Sequence, residues 1–463
     1  LNQPILMKTH TLFTSILLLL FGVSLSAQDL SGQWLGTLQL PMGKLRLVFH
    51  LSPKADGYTA TMDSPDQGAK GIPVSLVTFN APTLTLEVAA AQIKYTGTYE
   101  NNRIKGTFVQ GGLSLPLELS KSSESVRANR PQEPTAPYPY HSEEVTFENP
   151  KAGVKLAGTL TLPQTGSNFP VAVLITGSGK QNRDEEILGH KPFLVIADYL
   201  TRNGIAVLRY DDRGVAGSTG NFDTATTADF AEDAASAVAY LRTRKEINPK
   251  QIGLIGHSEG GMIAPMVASA SKEIGFIVLL AGVGIKGDEL MLLQKQRIEE
   301  KMGYNAMQVA SSRQFMAGAY QVITQTTDSG ASLRDSVARY LTSASLGSLP
   351  KEQITAISEQ ITTPWFVYLL RFDPAAYLRK VTCPVLALNG SKDLQVPPKE
   401  NLSRIQSSIE SNGNKRVTTI ELENLNHLFQ ECNTGLPAEY ATIEQTCSPR
   451  MLEAVNTWLG KLW

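Results

Sequence analysis

Two patterns of apolar and polar residues divide the chain. Between residues 32 and 119 they alternate in short runs, 33–40, 44–51, 58–62, 74–79, 83–88, 93–99, 103–109 and 113–119, broken by Gly, Pro, Asn and Asp. Period-two alternation places every second side chain on one face, so these runs predict about eight antiparallel strands, closed as a barrel or stacked as a sandwich. Beyond residue 145 the strand-like runs, 171–175, 205–208, 252–255, 277–280 and 385–388, are apolar throughout, and helical spacing falls between them, as in 230–243. Continuous apolar strands are buried on both faces, which means a mainly parallel, doubly wound sheet covered by helices. Residues 286–378 carry helical patterns only (289–301, 306–324, 333–341 and 351–370), so an all-helical lid is expected before the last strands.

Between the two patterns, Pro131, Pro134, Pro137 and Pro139 rule out a helix or a central strand and favour an extended spacer. At the other end, Met7-Lys8 precedes an apolar run over 12–25 that closes on Ser24-Leu25-Ser26-Ala27. A short basic start, an apolar stretch below the ~20 residues of a membrane span, and a small residue before Gln28 form a cleavable export signal. Met7 is the expected start. The expected organisation is therefore a signal peptide with upstream residues (1–27), an antiparallel β domain (28–120), a Pro-rich linker (121–144), and an α/β core (145–284 and 379–463) interrupted by the lid (285–378). The mature protein is expected to be periplasmic or secreted and free of the membrane.

Composition narrows the chemistry. With 42 basic and 43 acidic side chains there is no cationic excess to neutralise a phosphate backbone, which argues against a nucleic-acid partner. Three cysteines make neither a disulfide framework nor a thiolate zinc site, and no metal or organic cofactor is expected. In an oxidising compartment Cys432 and Cys447 are placed to pair, and Cys383, opening an apolar strand, is expected in the core.

The candidate chemistry begins at Gly256-His257-Ser258-Glu259-Gly260, which follows the apolar run 252–255 and precedes small, helix-compatible residues. Strand, tight turn and helix are the setting of a nucleophile elbow, where glycines allow close approach and the helix N-terminus favours developing negative charge. Serine then needs a base. His10 lies in the leader, His50 in the β domain and His141 in the linker; His257 adjoins the serine and is expected to point away, and His190 follows the first core strand. His427, late in the chain and in a loop, remains. The supporting carboxylate is read as Asp393, at the end of the run 385–388; Glu423 and Glu400 follow a strand less directly. The order Ser258, Asp393, His427 is that of α/β-hydrolases. Oxyanion donors are expected at the amide of Glu259 and at Ser178 in the loop after residues 171–175, with Gly179 as the alternative. The run Arg183-Asp184-Glu185-Glu186 reads as a solvated face, and Arg209, Asp211, Asp212 and Arg213 as a structural turn network.

Residues 176–185 (TGSGKQNRDE), 209–214 (RYDDRG), 256–261 (GHSEGG), 389–393 (NGSKD), 426–430 (NHLFQ) and 434–440 (TGLPAEY) resemble, in that order, the bacterial α/β-hydrolase esterases of the prolyl-oligopeptidase-like group. The resemblance spans about 145–463. It implies an α/β-hydrolase fold and carboxylesterase activity on short acyl chains, with Ser258, Asp393 and His427 as triad. Lys180 stands where such sequences usually have proline, and Asp212 where lysine or glutamine is common. The part of such lids that faces the nucleophile resembles 364–372, so Trp365 and Phe366 are the expected substrate contacts; Met291, Met302, Met307 and Met316 are equally readable as acyl pocket or as core. A small-molecule or glycan ester, acetylated or feruloylated, is the expected substrate, and a serine peptidase of the same fold is the alternative.

Overall fold

A computed structural model describes residues 29–40, 43–67, 69–123 and 129–463. The expected export signal lies outside these residues.

The N-terminal region forms nine strands: β1 (Gly32–Leu40), β2 (Gly43–Lys54), β3 (Gly57–Ser64), β4 (Ala69–Pro73), β5 (Leu76–Asn80), β6 (Thr83–Val88), β7 (Ile93–Glu100), β8 (Arg103–Gln110) and β9 (Leu113–Ser122). They make one sheet in the order β4-β3-β2-β1-β9-β8-β7-β6-β5. Phe49 on β2 stacks on Tyr95 on β7 with ring centroids 6.2 Å apart, although three strands lie between them. In a flat sheet that separation is about 19 Å, so the sheet curls on itself around these rings. It is a single curled sheet, as in a barrel, and not the two stacked sheets of a sandwich. The ninth strand, β4, is an edge strand without apolar alternation, which is why the hydrophobic pattern does not reveal it.

The C-terminal sheet comprises β10 (Tyr140–Asn149), β11 (Val154–Pro163), β12 (Phe169–Ile175), β13 (Ala206–Tyr210), β14 (Ile247–His257), β15 (Phe276–Leu280), β16 (Val385–Gly390) and β17 (Val417–Leu422). Its order is β10-β11-β13-β12-β14-β15-β16-β17, with β11 antiparallel to both neighbours and every pair from β13 to β17 parallel. Val171, Val173 and Ile175 of β12 face a core shared with α2 (Thr227–Leu241), α3 (Gly260–Ala270) and α10 (Pro398–Glu410). Ala172 and Leu174 face a second core closed by α1 (Pro192–Arg202) and α12 (Pro449–Leu459). This is the doubly wound α/β-hydrolase fold.

Between β15 and β16 stand six helices, α4 (Gly287–Lys301), α5 (Ala306–Thr324), α6 (Gly330–Ala344), α7 (Lys351–Ile361), α8 (Pro364–Arg371) and α9 (Ala375–Leu378); α11 (Pro437–Tyr440) follows later. The inserted helices bury a core of their own, built on Tyr320, Ile323, Leu333, Val337 and Leu341. Among the described residues no helix is long and apolar enough to cross a membrane.

Two expectations need correction. The Pro-rich segment is irregular as expected, but it is not a free spacer. The Arg130 guanidinium donates to the carbonyls of Leu188, Gly189, Ala441 and Ile443, and Gln132 bonds the backbone of Thr446 and Cys447. Strand β10 begins at Tyr140, inside the span read as linker. The cysteine pair does not form either. All three cysteines are free; the Cys447 side chain is packed into the core with Phe193 and Met451, while the Cys432 thiol donates to the Asn424 carbonyl. Cys383 is buried as expected.

Candidate active site

Strand β14 ends at His257, and α3 begins at Gly260, so Ser258 sits in the turn between them with φ +52°. That left-handed conformation is strained for a residue with a Cβ and lifts the side chain out of the strand-to-helix path. The turn is possible because the backbone is stripped of neighbouring side chains. A Cβ at Gly256 would overlap the Gly260 carbonyl, and one at Gly260 would overlap the Ile175 carbonyl. Ser258 is half-buried, and its hydroxyl has no hydrogen-bond partner among the described residues.

Asp393 and His427 meet in the loops after β16 and β17. His427 Nδ1 lies 2.8 Å from Asp393 Oδ2, and both side chains are buried. The other oxygen of Asp393 accepts from the amides of Gln395 (2.8 Å) and Val396 (2.9 Å), which fixes the carboxylate plane. A carboxylate only accepts, so His427 carries its proton on Nδ1 and leaves Nε2 as a base. The loop that carries His427 is closed by Asn426, whose Oδ1 accepts from the amides of Leu428 and Gln430.

The loop after β12 runs against the elbow. A Cβ built on Gly177 would lie 3.3 Å from the Ser258 Cβ. The Gly177 amide is taken by Glu185 Oε1 at 2.6 Å, whereas the amides of Ser178, Gly179 and Glu259 have no acceptor among the described residues. The Glu259 side chain turns inward, accepting from the Thr227 hydroxyl (2.7 Å) and from the Trp365 indole (2.8 Å). Burial pushes its carboxyl up despite those two donors. Burial does the same, more strongly, to Asp212, which accepts from the Thr176 hydroxyl and the Gln181 amide.

A model of the X-Pro dipeptidyl-peptidase (S15) family matches residues 152–428, more than half of the chain. The chain belongs to the S15 family. It is 25% identical to esterase EstD of Thermotoga maritima over 382 residues, 81% of this chain and 83% of EstD. A shorter stretch of 126 residues is 32% identical to an acyl transferase of Photorhabdus laumondii, covering 27% of this chain and 37% of that one. Among solved structures, Est1E of Butyrivibrio proteoclasticus with ferulic acid bound has a TM-score of 0.40 and 17% identity over 68% of this chain and 96% of its own. Fold, family and the EstD likeness together make the protein an α/β-hydrolase-fold hydrolase similar to esterases, with an N-terminal β module.

The other expected site residues of this S15 protein divide. Trp365, on α8, reaches the elbow through Glu259. Phe366, whose ring meets that of Trp365 edge-on with centroids 5.8 Å apart, enters the core of the inserted helices beside Tyr320, with ring centroids 6.1 Å apart. Met302 and Met307 are exposed, while Met291 and Met316 pack against that same core. Of the run at 183–186 only Glu186 is exposed as a solvated face would be. Arg183 pairs with Asp211 at 2.8 Å, Asp184 with Arg209, and Glu185 is buried against His257 at 2.9 Å. With Arg213 on Asp233 at 2.6 Å, these pairs form the network that holds the loops on both sides of β13. No periodicity marks such loops, so a charged run there reads as solvated until its partners are in place.

Proposed function

We propose that this hydrolase is a serine carboxylesterase acting on short-chain acyl esters, with Ser258 as nucleophile, His427 as general base and Asp393 as the carboxylate that orients it. The observation that carries the reading is the buried Asp393–His427 contact of 2.8 Å, taken together with a serine held at φ +52° in the strand-to-helix turn. Ser258 Oγ attacks the ester carbonyl and its proton passes to His427 Nε2, while Asp393 supports the imidazolium. The amides of Glu259 and Ser178 receive the oxyanion. His427 returns the proton to the departing alcohol. Water, deprotonated by the same nitrogen, then releases the acid and restores Ser258.

The EstD likeness across most of both chains supports esters over amides. The natural substrates proposed are acetylated or feruloylated glycans, met outside the cytoplasm after export, with the inserted helices acting as a lid whose Trp365 lies nearest the acyl group. A second reading, a serine peptidase, is favoured by the family description, which names X-Pro dipeptidyl-peptidases. Initial rates on p-nitrophenyl acetate, butyrate and octanoate, alongside an X-Pro p-nitroanilide, separate the two. A steep fall from acetate to octanoate without amide cleavage is expected; amide cleavage exceeding ester cleavage overturns the esterase reading.

A further inference from the structure

Sequence reading turns His257 away from the chemistry, and its side chain does leave the serine. It lands behind the base. His257 Nε2 lies 3.0 Å from the backbone carbonyl of His427, and the two imidazole rings are 4.9 Å apart. His257 Nδ1 lies 2.9 Å from Glu185 Oε1, the same oxygen that accepts the Gly177 amide at 2.6 Å. All three side chains are buried.

The hydrogen-bond chemistry of this chain is restrictive. A backbone carbonyl only accepts, so Nε2 of His257 carries a proton. The Gly177 amide only donates, so Glu185 Oε1 accepts there. One further proton lies between Glu185 and Nδ1, whether as a carboxylate facing an imidazolium or as a carboxylic acid facing a neutral ring. Burial opposes the charged ring, yet Glu185, the His427 carbonyl and Asp393 hold the His257 pKa above its ordinary value. One buried pair therefore connects three pieces: the loop at Gly177, the last residue of β14 and the loop that carries His427.

We propose that Glu185 and His257 are positioning residues that fix the backbone of the base loop relative to the nucleophile elbow and the Gly177–Ser178 loop, so that His427 Nε2 is held in reach of Ser258. This rests on His427 being the base. The pair touches no reacting atom; it acts through the His427 carbonyl and the Gly177 amide.

Two substitutions at His257 separate positioning from simple structural support. A glutamine side-chain amide nitrogen reaches about where Nε2 does, so His257→Gln keeps the bond to the His427 carbonyl. An asparagine nitrogen reaches only to the Nδ1 position, so His257→Asn keeps Glu185 partnered and loses the base loop. The expected result is kcat within about tenfold of wild type for His257→Gln and a fall of about 100-fold for His257→Asn, the cost of a misplacement near 1 Å, with KM little changed in both. If the pair merely neutralises a buried carboxylate, Asn performs as well as Gln or better, and that ranking overturns the proposal. So does a kcat loss that follows the loss of melting temperature across the variants. Should both His257 variants fail to fold, Glu185→Gln decides. One oxygen position meets both Gly177 and Nδ1, so glutamine can place only its oxygen there, which draws the proton of a neutral His257 to Nδ1 and takes the donor away from the His427 carbonyl. Positioning therefore predicts a fall of about 100-fold in kcat with KM little changed, and kcat within about tenfold of wild type overturns the proposal. Ser258→Ala run alongside distinguishes the two levels: retained turnover there removes the serine reading itself, while a dead Ser258→Ala with a fully active His257→Asn removes only the positioning role.

Discussion

Asp393 divides its two oxygens: Oδ2 meets His427 Nδ1 at 2.8 Å, and Oδ1 receives the amides of Gln395 and Val396. The division decides what Asp393→Asn does. Two backbone donors hold the amide oxygen of asparagine at the Oδ1 position, so its NH2 faces His427 Nδ1. The imidazole then switches tautomer, Nε2 carries the proton, and the serine loses its base. The expected fall in kcat is about 10⁴-fold with the fold intact. Steady-state kinetics beside circular dichroism check it, and a fall below tenfold contradicts the role given to Asp393.

Gly256→Ala places a Cβ against the backbone carbonyl of Gly260, which no rotamer change relieves. A loss of about 3 kcal/mol or more in unfolding free energy is expected, at the upper end of overpacking costs, together with lost activity. Urea denaturation measures it. Wild-type stability in the variant shows that the elbow is looser than described.

Trp365→Phe leaves Glu259 with the Thr227 hydroxyl alone. An under-satisfied buried carboxyl costs about 1–3 kcal/mol, and α8 loses its bond to the turn after Ser258. Denaturation and the acetate-to-butyrate rate ratio are the readouts. A variant equal to wild type in both removes Trp365 from the description of the site.

His190 predicts a pH dependence of stability. Burial, helped by Arg130, holds its pKa down at about 4, against the ordinary 6.5. The folded state keeps the ring neutral where the unfolded chain takes up a proton, so this contribution is complete above pH 6.5 and is lost as the pH falls towards 4. The loss is of order 3 kcal/mol. Melting temperatures of wild type and His190→Gln between pH 4 and 7 test the sign: the wild type is expected to fall more steeply on acidification, and parallel curves contradict it.

The legible parts of this molecule are those with a period or a punctuation mark. Continuous apolar runs give β12 to β16, and the glycine-flanked serine marks the turn at Ser258. What stays hidden depends on partners distant in sequence. Glu185 reads as one member of a charged run because its partner, His257, stands 72 positions later, and His257 reads as irrelevant because what it holds is a backbone carbonyl, which leaves no trace in residue types. Phe366 and Trp365 are adjacent on α8 and both touch the helical core, yet only Trp365 also reaches the elbow; helical spacing does not say which neighbour each side chain meets. The Pro-rich segment shows the same limit, because Arg130 binds carbonyls.

The most direct test of the central claim is peptide mapping after reaction with diethyl p-nitrophenyl phosphate, a reagent that phosphorylates activated serines. The account predicts stoichiometric modification of Ser258, in step with the loss of esterase activity, and no modification in Ser258→Ala. Complete inhibition with the phosphoryl group on another residue, or esterase activity that survives modification of Ser258, contradicts it.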